Sequence, residues 1–195
     1  SSVATVLLGL PLGVVLFTTQ RGGIIANPVL SVALSTIANI TRSIPYAILM
    51  LSLIPFTRWL VGSSIGPQAA CVSLTIGAVP FFARLVESAL RDVHSGKVDA
   101  AHAMGSTRMQ TITKVLLPEA APSLVAAVTT TVVTLVGYSA MAGLIGGGGL
   151  GRLAYNYGYQ RFETSVQLIT IAILVGMVQL IQMLGDVVIR RVDHR

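Results

Sequence analysis

The chain has 195 residues, 53% of them hydrophobic and 10% charged, with a formal net charge of +6. Soluble domains carry about 25% charged residues, so this chain lacks the polar surface to cover a globule in water, and its mean hydropathy of +0.80 fits a membrane protein. The basic excess comes without an aromatic-interleaved patch, so nucleic-acid binding is not implied, and a single cysteine, Cys71, excludes an intrachain disulfide and a cysteine metal cluster.

About 20 apolar residues cross a hydrocarbon core of roughly 30 Å as a helix. Ser1–Gln20, Trp59–Ala83, Ala120–Gly151 and Thr164–Gly185 are each at least that long and free of Asp, Glu, Lys and Arg, and 29–54 is interrupted by Arg42 alone. These runs predict an all-α polytopic membrane protein, one domain over 1–195, with five transmembrane helices near 1–19, 29–54, 67–91, 122–145 and 164–189.

The first run has no basic leader and no small-residue cleavage site, so it reads as a span rather than a secretory signal. The chain opens without Met, and residues are expected upstream. Gly9 and Gly13 have small-residue spacing, which Pro11 reduces to a weak packing signal. In the second span Arg42 lies about halfway, where a charge costs roughly 2.5–3.5 kcal/mol on insertion scales. It either faces protein or water, or sits nearer the interface and snorkels there. Ser43 follows, and Pro45 frees a backbone carbonyl where the helix can bend beside a pathway.

In the third span Cys71 reads as a small packing residue. Arg84, Glu87 and Arg91 share one face at i,i+3 and i,i+4 spacing, a structural ion-pair ladder rather than a proton relay. The connection over about 92–121 is long, and long loops tend to be functional. Within it Lys97–Met104 and Thr107–Leu116 read as short helices, split at Gly105-Ser106, with Ser106 or Thr107 as cap and Pro118 as stop. Such a pair makes a compact docking knob. The plainer alternative is an amphipathic loop resting on lipid headgroups with Met104 and Met109 buried.

The fourth span carries Tyr138, Ser139 and Met141 among small residues, the best candidate for a substrate path, although Gly137, Ala140 and Gly143 equally suit helix packing. "GGGGLG" (Gly146–Gly151) formally matches the dinucleotide fingerprint but lacks its strand-turn-helix context, and reads instead as close backbone packing at an external gate. Tyr155, Tyr157, Tyr159 and Phe162 form an interfacial belt. The last span ends where Asp186 and Arg190 can pair at i,i+4.

With the N-terminus outside, Arg21, Arg91, Lys97, Arg108, Lys114, Arg190, Arg191 and Arg195 fall inside and Arg58, Arg152 and Arg161 outside. The positive-inside rule favours this choice, which puts the 92–121 loop and the C-terminus in the cytoplasm and lets the basic residues meet anionic headgroups.

"DAAHAMGSTRMQTITKVLLP" (Asp99–Pro118) resembles the E-A-A-x3-G-x9-I-x-L-P loop of importer permeases in ATP-binding-cassette (ABC) systems. Asp99, Ala100, Ala101, Gly105, Val115, Leu117 and Pro118 fall on its positions, with Asp for Glu and Val for Ile as departures. "NITRSIPYAILML", "IPFTRWLVGSSIGPQAA", "TLVGYSAMAGLIGGGGLG" and "YNYGYQRF" are similar to the methionine-uptake branch, which begins further upstream.

The resemblance implies a type I importer permease in the bacterial inner membrane: a homodimer, two ABC ATPase subunits beneath it, and an extracytoplasmic methionine-binding protein above. It implies that Asp99, Ala100, Ala101, Met104, Gly105, Arg108, Leu117 and Pro118 couple to the ATPase. The substrate path, for D- and/or L-methionine, is expected at Tyr138, Ser139, Met141, Arg42 and Ser43. A thioether beside a phenol gives a soft wall for another thioether, so Tyr138 and Met141 are the expected ligand contacts. No G-x-x-x-x-G-K-[ST] loop occurs, so the chain is expected to be no enzyme, with ATP-Mg bound by the partner. Alternatives are a permease for another small amino acid, an ion-coupled secondary transporter, and a membrane anchor for a cytoplasmic enzyme complex; a secondary transporter would show paired repeats and buried midplane charges.

Overall fold

Helix α1 (Ser2–Thr18) is apolar and 17 residues long, about 26 Å at 1.5 Å per residue. It begins the computed structural model of the chain, which describes residues 1–20 and 23–193; Arg21 and Arg195, both counted among the inner charges, lie outside the described residues. Helix α2 (Pro28–Ser43) starts on Asn27, whose Oδ1 accepts from the Leu30 N–H at 3.2 Å, with Pro28 in the first turn where its missing N–H costs nothing.

The expected single helix over 29–54 is broken. Ile44 is extended (φ −82°, ψ 123°), the conformation a residue before proline prefers. The chain restarts as α3 (Tyr46–Ser52) and again as α4 (Ile54–Val61), which ends on left-handed Gly62. Arg42 therefore sits in the last turn of α2, not mid-helix.

Helix α5 (Pro67–Arg91) coincides with the predicted third span. Then come α6 (Ser95–Ala103), α7 (Arg108–Gln110), a π-helical turn over Thr111–Leu116, and α8 (Leu117–Glu119). Helix α9 (Ala121–Ala142) runs on through a π-helical Gly143–Gly147 turn to α10 (Gly149–Leu153) and a π-helical Ala154–Tyr159 stretch; α11 (Thr164–Val192) closes the chain. Among the described residues three helices, α5, α9 and α11, are long and apolar enough to cross a membrane.

Helix α5 is the axis of packing, with Phe82, Ala83 and Val86 fully buried. Helix α1 lies against it through Gly9 and Gly13, making the small-residue pair a real seam. A Cβ at Gly13 would meet Val86 Cβ at 2.5 Å and the Ala83 carbonyl oxygen at 2.6 Å; one at Gly9 would meet Phe82 at 2.7 Å. Pro11 is exposed, so its ring leaves the seam undisturbed. Because Gly9 meets Phe82 and Gly13 meets Val86, the two helices run in the same direction. One cluster joins Phe82, Val86 and Leu90 of α5 to Ile112 and Leu116 of the loop and Ala127 of α9; a second joins Tyr46, Leu74, Ala78, Leu135 and Ala142.

Much of α11 points outward, with Leu168, Ile169, Leu180, Met183 and Leu184 exposed, as a lipid-facing helix requires. Two expectations are corrected. Cys71 is exposed rather than packed, because its neighbours Ala69, Ser73 and Leu74 take the buried face of α5. Asp186 and Arg190 are both exposed and do not pair with each other, in keeping with the small gain of exposed ion pairs.

The seam is testable. Gly13→Leu is expected to destabilise the fold by about 1–3 kcal/mol through overpacking. Gly137→Ala, whose added Cβ meets nothing within 4 Å, should leave stability near wild type. Thermal unfolding in detergent, read by loss of the monodisperse size-exclusion peak, compares the two.

Candidate functional site

The loop after α5 is a built object. His94 Nδ1 accepts from the Gly96 N–H at 3.1 Å and caps α6, a cap not read from the sequence. Gly105 takes the left-handed conformation (φ +78°), and the Ser106 N–H reaches back to the Ala101 carbonyl at 3.1 Å. Thr107 then forms a full capping box with Gln110: the Thr107 N–H donates to Gln110 Oε1 at 2.8 Å and the Gln110 N–H to Thr107 Oγ1 at 3.4 Å. Pro118 does not stop the segment. It falls in the first turn of α8, where no N–H is needed, after the π-helical turn has shifted the register. Lys97 Nζ pairs with Glu119 Oε1 and ties the start of the knob to its end.

Ala101, Ile112 and Leu116 are buried and Leu117 packs on the core, so Ala101 and Leu117 seat the knob instead of presenting its surface. Asp99, Ala100, Gly105, Arg108 and Pro118 are exposed, together with Met104 at 83% and Met109 at 68%. Helix α6 has no segregated apolar face with which to lie on lipid.

The predicted ladder proves to be a junction of three helices. Glu87, 4% exposed, accepts from Arg84 Nη1 at 2.6 Å and Arg91 Nη2 at 2.7 Å, and also from Gln20 Nε2 at 2.5 Å. Arg84 Nη2 donates to the Ser35 carbonyl and to Asn39 Oδ1, both at 3.0 Å. Gln20, Ser35 and Asn39 carried no signal in sequence, because they are distant along the chain and ordinary in type.

Two open recesses meet at Arg42. One, of about 320 Å³, is lined by Asn39, Arg42, Arg84, Glu87, Ser88 and Arg91. The other, of about 210 Å³, is lined by Arg42, Tyr46, Leu49, Gly77, Phe81 and Tyr138 among others. The Tyr46 and Tyr138 rings stack at 4.6 Å with 5° between planes, and the Tyr46 hydroxyl lies 3.2 Å from Ser73 Oγ. Arg42 Cζ stands 5.9 Å from the Phe81 ring centroid.

Tyr138 and Arg42 are thus brought together, while the other expected path residues are not. Ser43 Oγ turns back to the Asn39 carbonyl at 2.8 Å. Ser139 lines a different recess with Ser1, Ser2 and Met177, and Met141, one turn beyond Tyr138, is exposed and does not line the Tyr138 recess. Tyr46 and Phe81 were missed, since an aromatic in an apolar run looks like any core residue.

At the far end, Gly146, Gly148 and Gly149 take positive φ, and a Cβ at Gly151 would lie 2.0 Å from the Ala140 carbonyl oxygen, so the glycine run is close backbone packing. Beside it Tyr155 and Tyr159 stack at 5.7 Å and Arg161 lies over Tyr157 at 4.5 Å.

A family model described as binding-protein-dependent transport system inner membrane component matches residues 5–195. The probable D-methionine transport system permease protein MetI of Vibrio cholerae is 53% identical over 188 residues, covering 96% of this chain and 84% of its own. The methionine import system permease protein MetP of Bacillus subtilis is 43% identical over 180 residues, covering 92% and 81%. A chain of the MetNI methionine ABC transporter, in an inward-facing conformation, superposes with a TM-score of 0.97 at 51% identity, covering 99% of this chain and 89% of its own. A chain of an amino acid ABC transporter with histidines shares the fold, with a TM-score of 0.76 at 21% identity over 97% and 88%.

Replacing Glu87 by Gln would leave Arg84 facing the interior without a counter-charge. A loss of about 3 kcal/mol is expected, the low end for a buried pair because the Arg91 side chain is 62% exposed. The Arg84→Met/Glu87→Met double variant should recover part of that loss, as read from denaturant midpoints of the reconstituted protein.

Proposed function

Because this chain belongs to the binding-protein-dependent transport system inner membrane components, we propose that it is the methionine-conducting permease of an ATP-driven importer. Its fold is all-helical and of the type I ABC importer permease class, and its place is the bacterial inner membrane. It is a transport component, with the ATPase on a separate subunit. The observation that carries the methionine reading is the TM-score of 0.97, at 51% identity, with a chain of the MetNI methionine transporter.

Five crossings are proposed, by α1, by α2 and α3 together, and by α5, α9 and α11, with the N-terminus outside and the C-terminus in the cytoplasm. The parallel run of α1 and α5 supports this order. So does the pairing of α9 with α11, in which Thr129 meets Gly185 while Ser139 shares a recess with Met177. The break at Ile44-Pro45 is tolerable at membrane depth because it borders a recess rather than lipid.

The working unit is two copies of this chain over two ABC ATPase subunits that bind ATP-Mg, receiving methionine from an extracytoplasmic binding protein. Asp99, Ala100, Met104, Gly105, Arg108 and Pro118 dock in the ATPase, while Ala101 and Leu117 hold the knob to the helices that must move. When ATP closes the ATPase pair, the knob moves with it. The shared cluster of Leu90, Ile112, Leu116 and Ala127 carries that displacement into α5 and α9, and so to the wall formed by Arg42 and Tyr138. Access alternates from outside to inside, and hydrolysis in the partner resets the cycle.

Asp99→Arg/Gly105→Leu tests the lever. Leu at a left-handed position costs about 1–2 kcal/mol, and Arg reverses the charge at the docking face. In proteoliposomes holding permease, ATPase and binding protein, ATP-dependent uptake of radiolabelled methionine is expected to vanish, with the variant folded but no longer co-purifying with the ATPase. A wild type that keeps its ATPase yet moves no methionine overturns the cargo, and one that binds no ATPase overturns the importer.

A further inference from the structure

We propose that Arg42 is a specificity residue that binds the carboxylate of an amino-acid cargo where the aromatic and arginine-lined recesses meet. The proposal rests on the importer reading above, and deepens it. Arg42, Arg84 and Arg91 face one carboxylate, Glu87, which Arg84, Arg91 and Gln20 already occupy. Among the described residues Arg42 forms no ion pair and no hydrogen bond; the Phe81 ring at 5.9 Å is its one recorded partner. A guanidinium kept in a membrane chain is costly without an anion, and its planar fork matches a carboxylate with two parallel hydrogen bonds.

Position adds to the charge. Arg42 is the residue common to both recesses, so an anion leaving the aromatic side meets it before the arginine side. Beside it the Tyr46–Tyr138 pair offers aromatic surface to a thioether, and no carboxylate lines that recess to hold an ammonium group. The site is therefore set to recognise cargo by its carboxylate and to be indifferent to loss of the amine.

The test places a reporter in the site. In a Cys71→Ser background, Ser88→Cys is labelled with methyl methanethiosulfonate in the nucleotide-free permease–ATPase complex, with methionine, 4-(methylthio)butanoate or methioninol present. Thr41→Cys reports from the aromatic recess should Ser88→Cys not assemble. Methionine and the amine-free acid are expected to slow labelling roughly tenfold near saturation, as mass action requires. Methioninol should not protect; Arg42→Gln should abolish protection and Arg42→Lys retain part of it.

Equal protection by methioninol, or protection that survives Arg42→Gln, overturns the proposal. So does protection that appears on replacing phosphatidylcholine by phosphatidylglycerol and not with the carboxylates, which would make a lipid phosphate the occupant. Wild-type methionine uptake is measured in parallel. Its absence from a complex that still holds the ATPase overturns the methionine cargo, whereas intact uptake without protection removes only the role of Arg42.

Discussion

A carboxylate with almost no access to solvent holds the meeting point of α1, α2 and α5 in register. Glu87 takes hydrogen bonds from both neighbouring arginines and from Gln20 at the end of α1, and Arg84 extends the network to α2 through Ser35 and Asn39. Burying a charge is tolerable only when its partners are in place, and losing one costs far more than the pair contributes. The network therefore acts less as glue than as a constraint: α1, α2 and α5 must meet at one register for Glu87 to be satisfied. The Gly9 and Gly13 seam, which admits no side chain beyond hydrogen, imposes the same register from the apolar side.

The docking knob inherits that rigidity. It leaves α5 just beyond Arg91, sits on the same apolar cluster through Ile112 and Leu116, and is closed by Lys97 and Glu119. A loosely attached loop would absorb a push from a partner by local motion. A capped, clasped pair of short helices seated in the core passes it on, which is what a lever needs. The exposed Met104 and Met109 are apolar, unbranched and adaptable, suited to a groove of another protein.

The break between α2 and α3 shapes the Arg42 recesses. An unbroken helix over 29–54 would carry Arg42 along its flank and satisfy every carbonyl internally. Ending α2 at Ser43 instead turns Arg42 toward the junction of two recesses and lets α3 bring Tyr46 against Tyr138. Proline supplies the break, because it disfavours the helical conformation in the residue before it.

Much of this was legible in the chain itself. Long uncharged runs located α5, α9 and α11 closely, since membrane crossing is a demand on length and composition that local sequence must meet. The knob was legible for a similar reason: a turn glycine, a capping threonine and a dense pattern of fixed residues are local chemistry. What the sequence left open was everything that depends on distant residues meeting. The partners of Glu87 come from α1 and α2, and Arg42 and Tyr138 are 96 positions apart yet line one recess. Ser139, next to Tyr138 in sequence, lines a different recess because a helix turns by about 100° per residue and only packing decides which face looks inward; Met141, one turn on, is exposed and lies outside the Tyr138 recess. The sequence by itself determined the membrane class and the local form of the 92–121 loop, which are demands on composition and nearby residues; only the tertiary structure decided which distant side chains line a common recess.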